Sequence, residues 1–293
     1  MLEKRVTNVL DIKRSHIQKR ESKLKTRMLL ITILLLTVVM VAIAEDPTTI
    51  TGREKRKQVT TPVWDVDWYA LTLPHMNDVL VASEKLSYDI GGGREWEVEV
   101  DIYYPPDFNF TSKLPAVFVS LGLRQWKSTI SLGQLIAASG LIAIIPDITS
   151  DKDFSETITY CLKNAKDFGI NKKYIGIWGG SNPGTYAFNA TLDKSQKYHE
   201  YIKCAVFESA VLRPTFDKDN MSNDVPLLFI TGSLDTIYAR PTHTFLLEIA
   251  DEMNIPLEYI IYEGAAGHWY MDDTDEARDF VQKELDFIKS HLL

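Results

Sequence analysis

From Asp78 to the end of the chain, strand-like and helix-like hydrophobic patterns alternate. Residues 79–88 and 96–104 read as the two strands of a hairpin, because Gly91-Gly92-Gly93 separates two alternating runs. Glu97, Glu99 and Asp101 alternate with Val98, Val100 and Ile102, the period-two pattern of a half-exposed strand. An unbroken apolar run predicts a buried strand over 116–121, followed by a helix over 128–138 and a strand over 141–145. A helix over 154–168 leads into a strand that starts at Ile175. Next come a helix reaching Leu192 and strands over 202–207, 225–232 and 256–263, with a helix beginning near Ile237 between the last two. The final helix, from Asp275 to His291, carries Phe280, Leu285, Ile288 and Leu292 near one stripe. Such repetition predicts an α/β fold: a mostly parallel sheet, an N-terminal antiparallel hairpin, and helices on both faces. Residues 78–293 suffice for one full core and not two. Residues 210–224 have room only for a small flap.

Candidate chemistry sits just past the strand ends. The stretch Ile175-Gly176-Ile177-Trp178-Gly179-Gly180-Ser181-Asn182-Pro183-Gly184 runs from strand to glycine pair to serine to helix start. That corner lifts a serine hydroxyl out of the sheet, and bulky side chains beside it would clash, which gives Gly179 and Gly180 a steric purpose. Against G-x-S-x-G the segment matches at Gly179 and Ser181, misses at Pro183, and supplies glycine one place late at Gly184. The strand 225–232 is followed by Ser233-Leu234-Asp235, and the strand 256–263 by Gly264-Ala265-Ala266-Gly267-His268. Serine, acid and histidine thus follow in the order the hydrolase elbow requires, each beyond the carboxyl end of a strand. Taken singly, Asp235 could cap a helix, and His268 could be an ordinary loop histidine. Glu208, closing the strand 204–208, is the rival acid.

On these residues the chain resembles the α/β-hydrolase superfamily, in particular single-domain dienelactone hydrolase-like and prolyl-oligopeptidase-like serine hydrolases. The resemblance runs from about residue 79 to 293 and implies Ser181 as nucleophile, His268 as base and Asp235 as the acid that orients it. Two positions depart from the family pattern: Pro183 replaces the usual elbow glycine, and the His-Gly pair that often follows the third strand is Leu121-Gly122. Proline fits the first turn of a helix, and the amide needed for catalysis belongs to Asn182. The implied reaction is hydrolysis of a small carboxylic ester or other acyl substrate through an acyl-enzyme. Asn182 and Leu123 would supply the oxyanion N–H groups, with Gly122 giving the backbone room to approach. Trp178, Trp126 and Trp269 are candidate apolar walls of the substrate site, with core packing as the other reading of each. Arg124 could meet an anionic group or sit solvated in its loop. A serine peptidase and an inactive hydrolase-fold binding module are the alternative functions.

The start of the chain differs in character. Residues 1–27 hold nine Lys and Arg against three Asp and Glu, a charge of +6 that leaves −14 on the rest of a chain whose net charge is −8. Residues 28–44 are seventeen uncharged, mostly aliphatic positions, and the basic flank places residues 1–27 in the cytoplasm. The expected organisation is a basic tail (1–27), one N-terminal transmembrane helix or signal-peptide core (28–44), a linker and arm (45–77) and the hydrolase domain (78–293). The domain would then be membrane-anchored outside the cytoplasm, or secreted if cleavage follows Ala42-Ile43-Ala44. The arm contains Trp64, Trp68 and Tyr69, expected to lie on the domain. Cys161 and Cys204 read as buried free thiols. No cluster has metal-ligand spacing, no phosphate loop follows a first strand, and no cofactor is implied. The acidic outer part argues against nucleic-acid binding.

Overall fold

The computed structural model describes residues 59–60, 69–89, 95–235, 239–267 and 271–293. The basic tail, the segment 28–44, Trp64 and Trp68 of the arm, the glycine turn 91–93, His268 and Trp269 lie outside the described residues. Among the described residues, no helix is long and apolar enough to cross a membrane.

The elements in chain order are β1 (Val59–Thr60), β2 (Leu80–Asp89), β3 (Glu95–Tyr104), β4 (Leu114–Ser120), α1 (Lys127–Ala138), β5 (Ile142–Pro146), α2 (Asp151–Lys163), β6 (Ile170–Gly180), α3 (Gly184–Leu192), β7 (Ile202–Glu208), β8 (Leu227–Gly232), α4 (Ala239–Met253), β9 (Leu257–Tyr262) and α5 (Asp275–Leu292). They form one sheet in the order β1-β2-β3-β5-β4-β6-β7-β8-β9. β2 and β3 pair antiparallel from Leu80 opposite Tyr104 to Asp89 opposite Glu95, and β3 pairs antiparallel with β5. From β5 onward every neighbour is parallel. The chain steps from β4 to β5 on one side and to β6 on the other, so the order reverses around β4. In open α/β sheets that reversal opens a crevice beyond the strand ends.

Residues alternate between two cores across the sheet. Ala116 and Phe118 of β4 face a core with Phe154 of α2, Phe188 of α3 and Leu246 of α4. Val117 and Val119 face the opposite core with Leu132 and Leu135 of α1 and Phe280, Leu285 and Ile288 of α5. Both faces are buried, which is why β4 and β5 read as unbroken apolar runs. From the arm, Tyr69, Leu71, Leu73 and Met76 pack on the α1–α5 side.

Three boundaries differ from the sequence pattern for local reasons. Helix α2 begins at Asp151, ahead of the apolar pattern, because Ser150 Oγ accepts the Asp153 N–H at 3.2 Å as an N-cap. It ends at Lys163, well before Phe168. There the Asn164 side chain turns back to the Tyr160 carbonyl, and Gly169 adopts φ +66. Strand β6 begins at Ile170, since Leu114 pairs with Ile170 and an irregularity then shifts the register to Ala116 with Ile175. In β3 the alternation breaks at Asp101, which is 7% exposed while Glu97 and Glu99 are exposed.

One polar group on the α5 stripe was not visible in the hydrophobic pattern. Glu284 is fully buried among Phe280, Leu285 and Ile288, and its carboxyl faces the equally buried Glu208 at the end of β7. Tyr69 Oη donates to both Glu208 oxygens, at 2.9 and 3.1 Å. Burial, and then the adjacent Glu208 carboxyl, hold the Glu284 pKa well above the ordinary carboxylate range. The folded chain therefore keeps a proton that the unfolded chain releases near pH 4.5, and stability falls as pH rises above that value. Glu284→Gln removes this titration. Wild type should lose up to about 1.4 kcal/mol per pH unit relative to the variant above pH 5. Urea denaturation at pH 5 and pH 8 measures the difference, and parallel pH profiles for the two proteins would exclude a proton held by this pair.

Candidate active site

Strand β6 ends at Gly180 and α3 begins at Gly184, so Ser181 opens the three-residue corner between them. Its φ is 53°, a left-handed conformation that costs a non-glycine residue about 1–2 kcal/mol. Neighbouring strands hold it there. Ser181 N–H donates to the Glu208 carbonyl at 3.3 Å, and the Ser181 carbonyl accepts from Val211 N–H at 2.8 Å. Ser120 Oγ, at the end of β4, donates to the Pro183 carbonyl at 2.7 Å, and Thr185 Oγ1 donates to the Val211 carbonyl at 2.8 Å. Ser209 is also left-handed, at φ 43°, but it is fully buried against Thr231 Oγ1 at 3.2 Å. Of the two strained serines, only Ser181 is partly exposed.

The irregular motif has a steric explanation. A Cβ on Gly179 would lie 2.4 Å from Ala187 Cβ, so α3 crosses the strand at a distance only glycine permits. A Cβ on Gly184 would lie 2.5 Å from Ala210 Cβ, where the first turn of α3 meets the chain leaving β7. The late glycine thus serves a close approach of its own. Pro183, immediately before α3, has φ −63° and ψ −15°, and its ring suits that position.

Asp235 follows β8 and is 3% exposed. Its carboxylate lies against Gly267, where a Cβ would come within 2.7 Å of Oδ2. The loops after β8 and β9 are stitched together: Ser233 N–H donates to the Tyr262 carbonyl at 2.9 Å, Leu234 N–H to Ala265 at 2.8 Å, and Gly264 N–H to Ser233 Oγ at 2.8 Å. The structure therefore brings the candidate acid to the residue just before His268, which itself lies outside the described residues. The rival acid, Glu208, points to the other core, where it holds Tyr69 and Glu284.

The remaining candidates separate by burial. Trp178 is fully buried in the α1–α5 core, a correction to its candidacy as a substrate wall: on β6 it alternates with Ile177 and faces inward. Trp126 is 54% exposed and Leu123 41% exposed, both in the loop leaving β4. The Trp126 ring covers Gly122, where a Cβ would meet it at 2.5 Å. Asn182 is exposed beside Ser181. Leu234, next to Asp235, is 59% exposed, an apolar rim residue that its short loop did not single out. Arg124 is not a solvated loop residue and has no free arm for an anion. It is paired with Asp101, Asp147 and Glu99. These partners escaped the sequence reading because they meet only once β3, β5 and β4 lie side by side. Cys161 and Cys204 are buried free thiols. Burial raises both pKa values, Cys204 to about 12, which keeps them protonated and unreactive at neutral pH.

The sequence matches no protein-family model and no curated protein. The fold, however, is shared with solved structures. A thermostable esterase from Pseudomonas putida is similar at TM-score 0.59 and 13% identity, over 73% of this chain and 84% of that one. Esterase 2 of Thermogutta terrifontis phosphonylated by cyclosarin is similar at TM-score 0.56 and 16% identity, over 71% of this chain and 92% of that one. The native form of the Thermogutta terrifontis enzyme aligns at TM-score 0.54 and 16% identity, over 71% and 90% of the two chains. With a sheet order that reverses around β4, a strained serine corner after β6, and these neighbours, the chain has the α/β-hydrolase fold.

Proposed function

We propose that this chain is a serine hydrolase that cleaves carboxylic esters through a Ser181–His268–Asp235 triad. The observation that carries the proposal is Ser181, held left-handed and partly exposed at the β6–α3 corner. Strain of that kind persists only where surrounding structure enforces it, and it concentrates at functional sites. The esterase neighbours, one of them phosphonylated, support the choice of an ester over an amide.

In this reading, Ser181 Oγ attacks the ester carbonyl while His268 takes its proton. Negative charge collects on the carbonyl oxygen and is met by the N–H groups of Asn182 and Leu123, each worth about 3–4 kcal/mol in comparable sites. Collapse of the tetrahedral adduct breaks the carbon–oxygen bond, and His268 returns the proton to the departing alcohol. Water then repeats the sequence on the acyl-enzyme, releasing the acid and restoring Ser181. Asp235, sheltered from solvent beside Gly267, keeps the imidazole in the productive tautomer and stabilises its charged form. Trp126, Leu123 and Leu234 offer apolar surface at the rim.

The triad is tested by kinetics on p-nitrophenyl esters. Ser181→Ala should abolish turnover with an unchanged melting temperature, and Asp235→Asn should lower kcat by about 10⁴-fold. Glu208→Gln should change kcat far less. A mild Asp235→Asn effect beside a severe Glu208→Gln effect would transfer the orienting role to Glu208.

The N-terminal pattern belongs to the same proposal: residues 28–44 anchor the chain, residues 1–27 remain in the cytoplasm, and the hydrolase domain lies outside. External protease added to intact cells should digest residues 45–293 and spare an epitope at residue 10. A mature chain beginning at Glu45 would replace the anchor with a cleaved signal peptide. A domain digested only after lysis would refute the outside location.

A further inference from the structure

Arg124 lies in the loop that leaves β4, one residue after Leu123. Its guanidinium donates from Nε to Asp147 Oδ2 at 3.1 Å, from Nη1 to the two Asp101 oxygens at 3.0 and 3.2 Å, and from Nη2 to Glu99. Its own backbone N–H donates to Asp147 Oδ1 at 3.0 Å. Asp147 therefore grips Arg124 by backbone and side chain at once, and Gln125 Nε2 adds a further donor to Asp147 Oδ2 at 3.1 Å. Ser83 Oγ donates to Asp101 Oδ1 at 2.5 Å, so the second carboxylate is itself fixed by β2. The Arg124 and Asp101 side chains are only 17% and 11% exposed, where charge-assisted hydrogen bonds are screened less than on an open surface.

The carbonyl of Leu123 accepts from Trp126 N–H at 2.9 Å, and the N–H of Arg124 in the same peptide unit is held by Asp147. The Leu123–Arg124 peptide is thus pinned at both ends. The Arg124 amide is committed to Asp147, and the Leu123 N–H, the candidate oxyanion donor, belongs to the preceding peptide, joined to the pinned plane at Leu123 Cα. An oxyanion hole works because its donors are already in place and need not reorganise as charge develops.

We propose that Arg124, clamped by Asp147 and Asp101, is a positioning residue that holds the Leu123 N–H in the oxyanion hole. The proposal rests on the serine-hydrolase reading above. It also requires arginine: lysine carries the charge but lacks the planar fork that serves Nε, Nη1 and Nη2 separately.

The test uses full-length wild type, Arg124→Lys and Asp147→Asn, the second variant standing in if the first does not fold. Active sites are counted by titration to completion with a fluorophosphonate, so that unfolded protein drops out. Per titrated site, each variant should hydrolyse p-nitrophenyl butyrate with kcat lowered about 10–100-fold and KM within about threefold of wild type. The Ki of an alkyl trifluoromethyl ketone, whose serine adduct carries the oxyanion, should rise by the same factor as kcat/KM falls. Variants that melt earlier yet keep wild-type kcat and Ki per site would make the cluster merely structural and overturn the proposal alone. Failure of the wild-type chain to react with the fluorophosphonate would overturn the serine reading and this proposal together.

Discussion

The arrangement depends on forcing Ser181 into a left-handed conformation between β6 and α3. A serine has no intrinsic reason to accept φ 53°, so the surroundings must enforce it. They do so from two strands and the loop that follows the second. β4 contributes the Ser120 hydroxyl to Pro183, the end of β7 contributes the Glu208 carbonyl, and the chain after β7 contributes the Val211 N–H. These bonds form only if α3 and the turn after β7 come almost into backbone contact with β6, which requires Gly179 and Gly184. Packing and strain are one problem here. Small residues let the elements approach, and the approach presents the serine hydroxyl.

The parallel sheet then does the gathering. Because the strands from β5 to β9 in the sheet run parallel, the loops leaving β4, β6, β8 and β9 open on the same edge, and the reversal of order around β4 parts them into a crevice. Each loop is braced. Arg124 ties the first to β3 and β5, the glycine contacts fix the second, and hydrogen bonds between residues 233–234 and 262–265 lock the last two together. Asp235 is held beside Gly267 by this lock. The opposite face carries the rival acid Glu208, kept there by Tyr69 and Glu284.

How much of this was legible follows from the range of the forces involved. Periodicity reports which face of an element is buried, so β2 to β5, α1 and α5 could be placed within a residue or two. Motif spacing depends on local turns, so the Ser181 corner and Asp235 were visible as strand-end residues. Helix α2 was misplaced because its start depends on a single cap, Ser150, and its end on Gly169, neither of which has an apolar signature. Trp178 was ambiguous because a tryptophan near a strand-end serine can face either way, and the alternation along β6 decides it. Glu284 was invisible, since a lone acid on an apolar stripe reads as solvent-facing until its partner Glu208 is known. Arg124, Asp101 and Asp147 are far apart in sequence and meet through the β3-β5-β4 order, which no local pattern encodes.

The proposed mechanism requires the strained, partly exposed Ser181 to be the nucleophile. The most direct measurement is to treat the folded full-length protein with a fluorophosphonate, digest it, and locate the adduct by tandem mass spectrometry. A single phosphonyl group on Ser181 is expected, lost when the protein is unfolded before treatment. An adduct on Ser209, Ser233 or any other residue, or none on the folded chain, would contradict it.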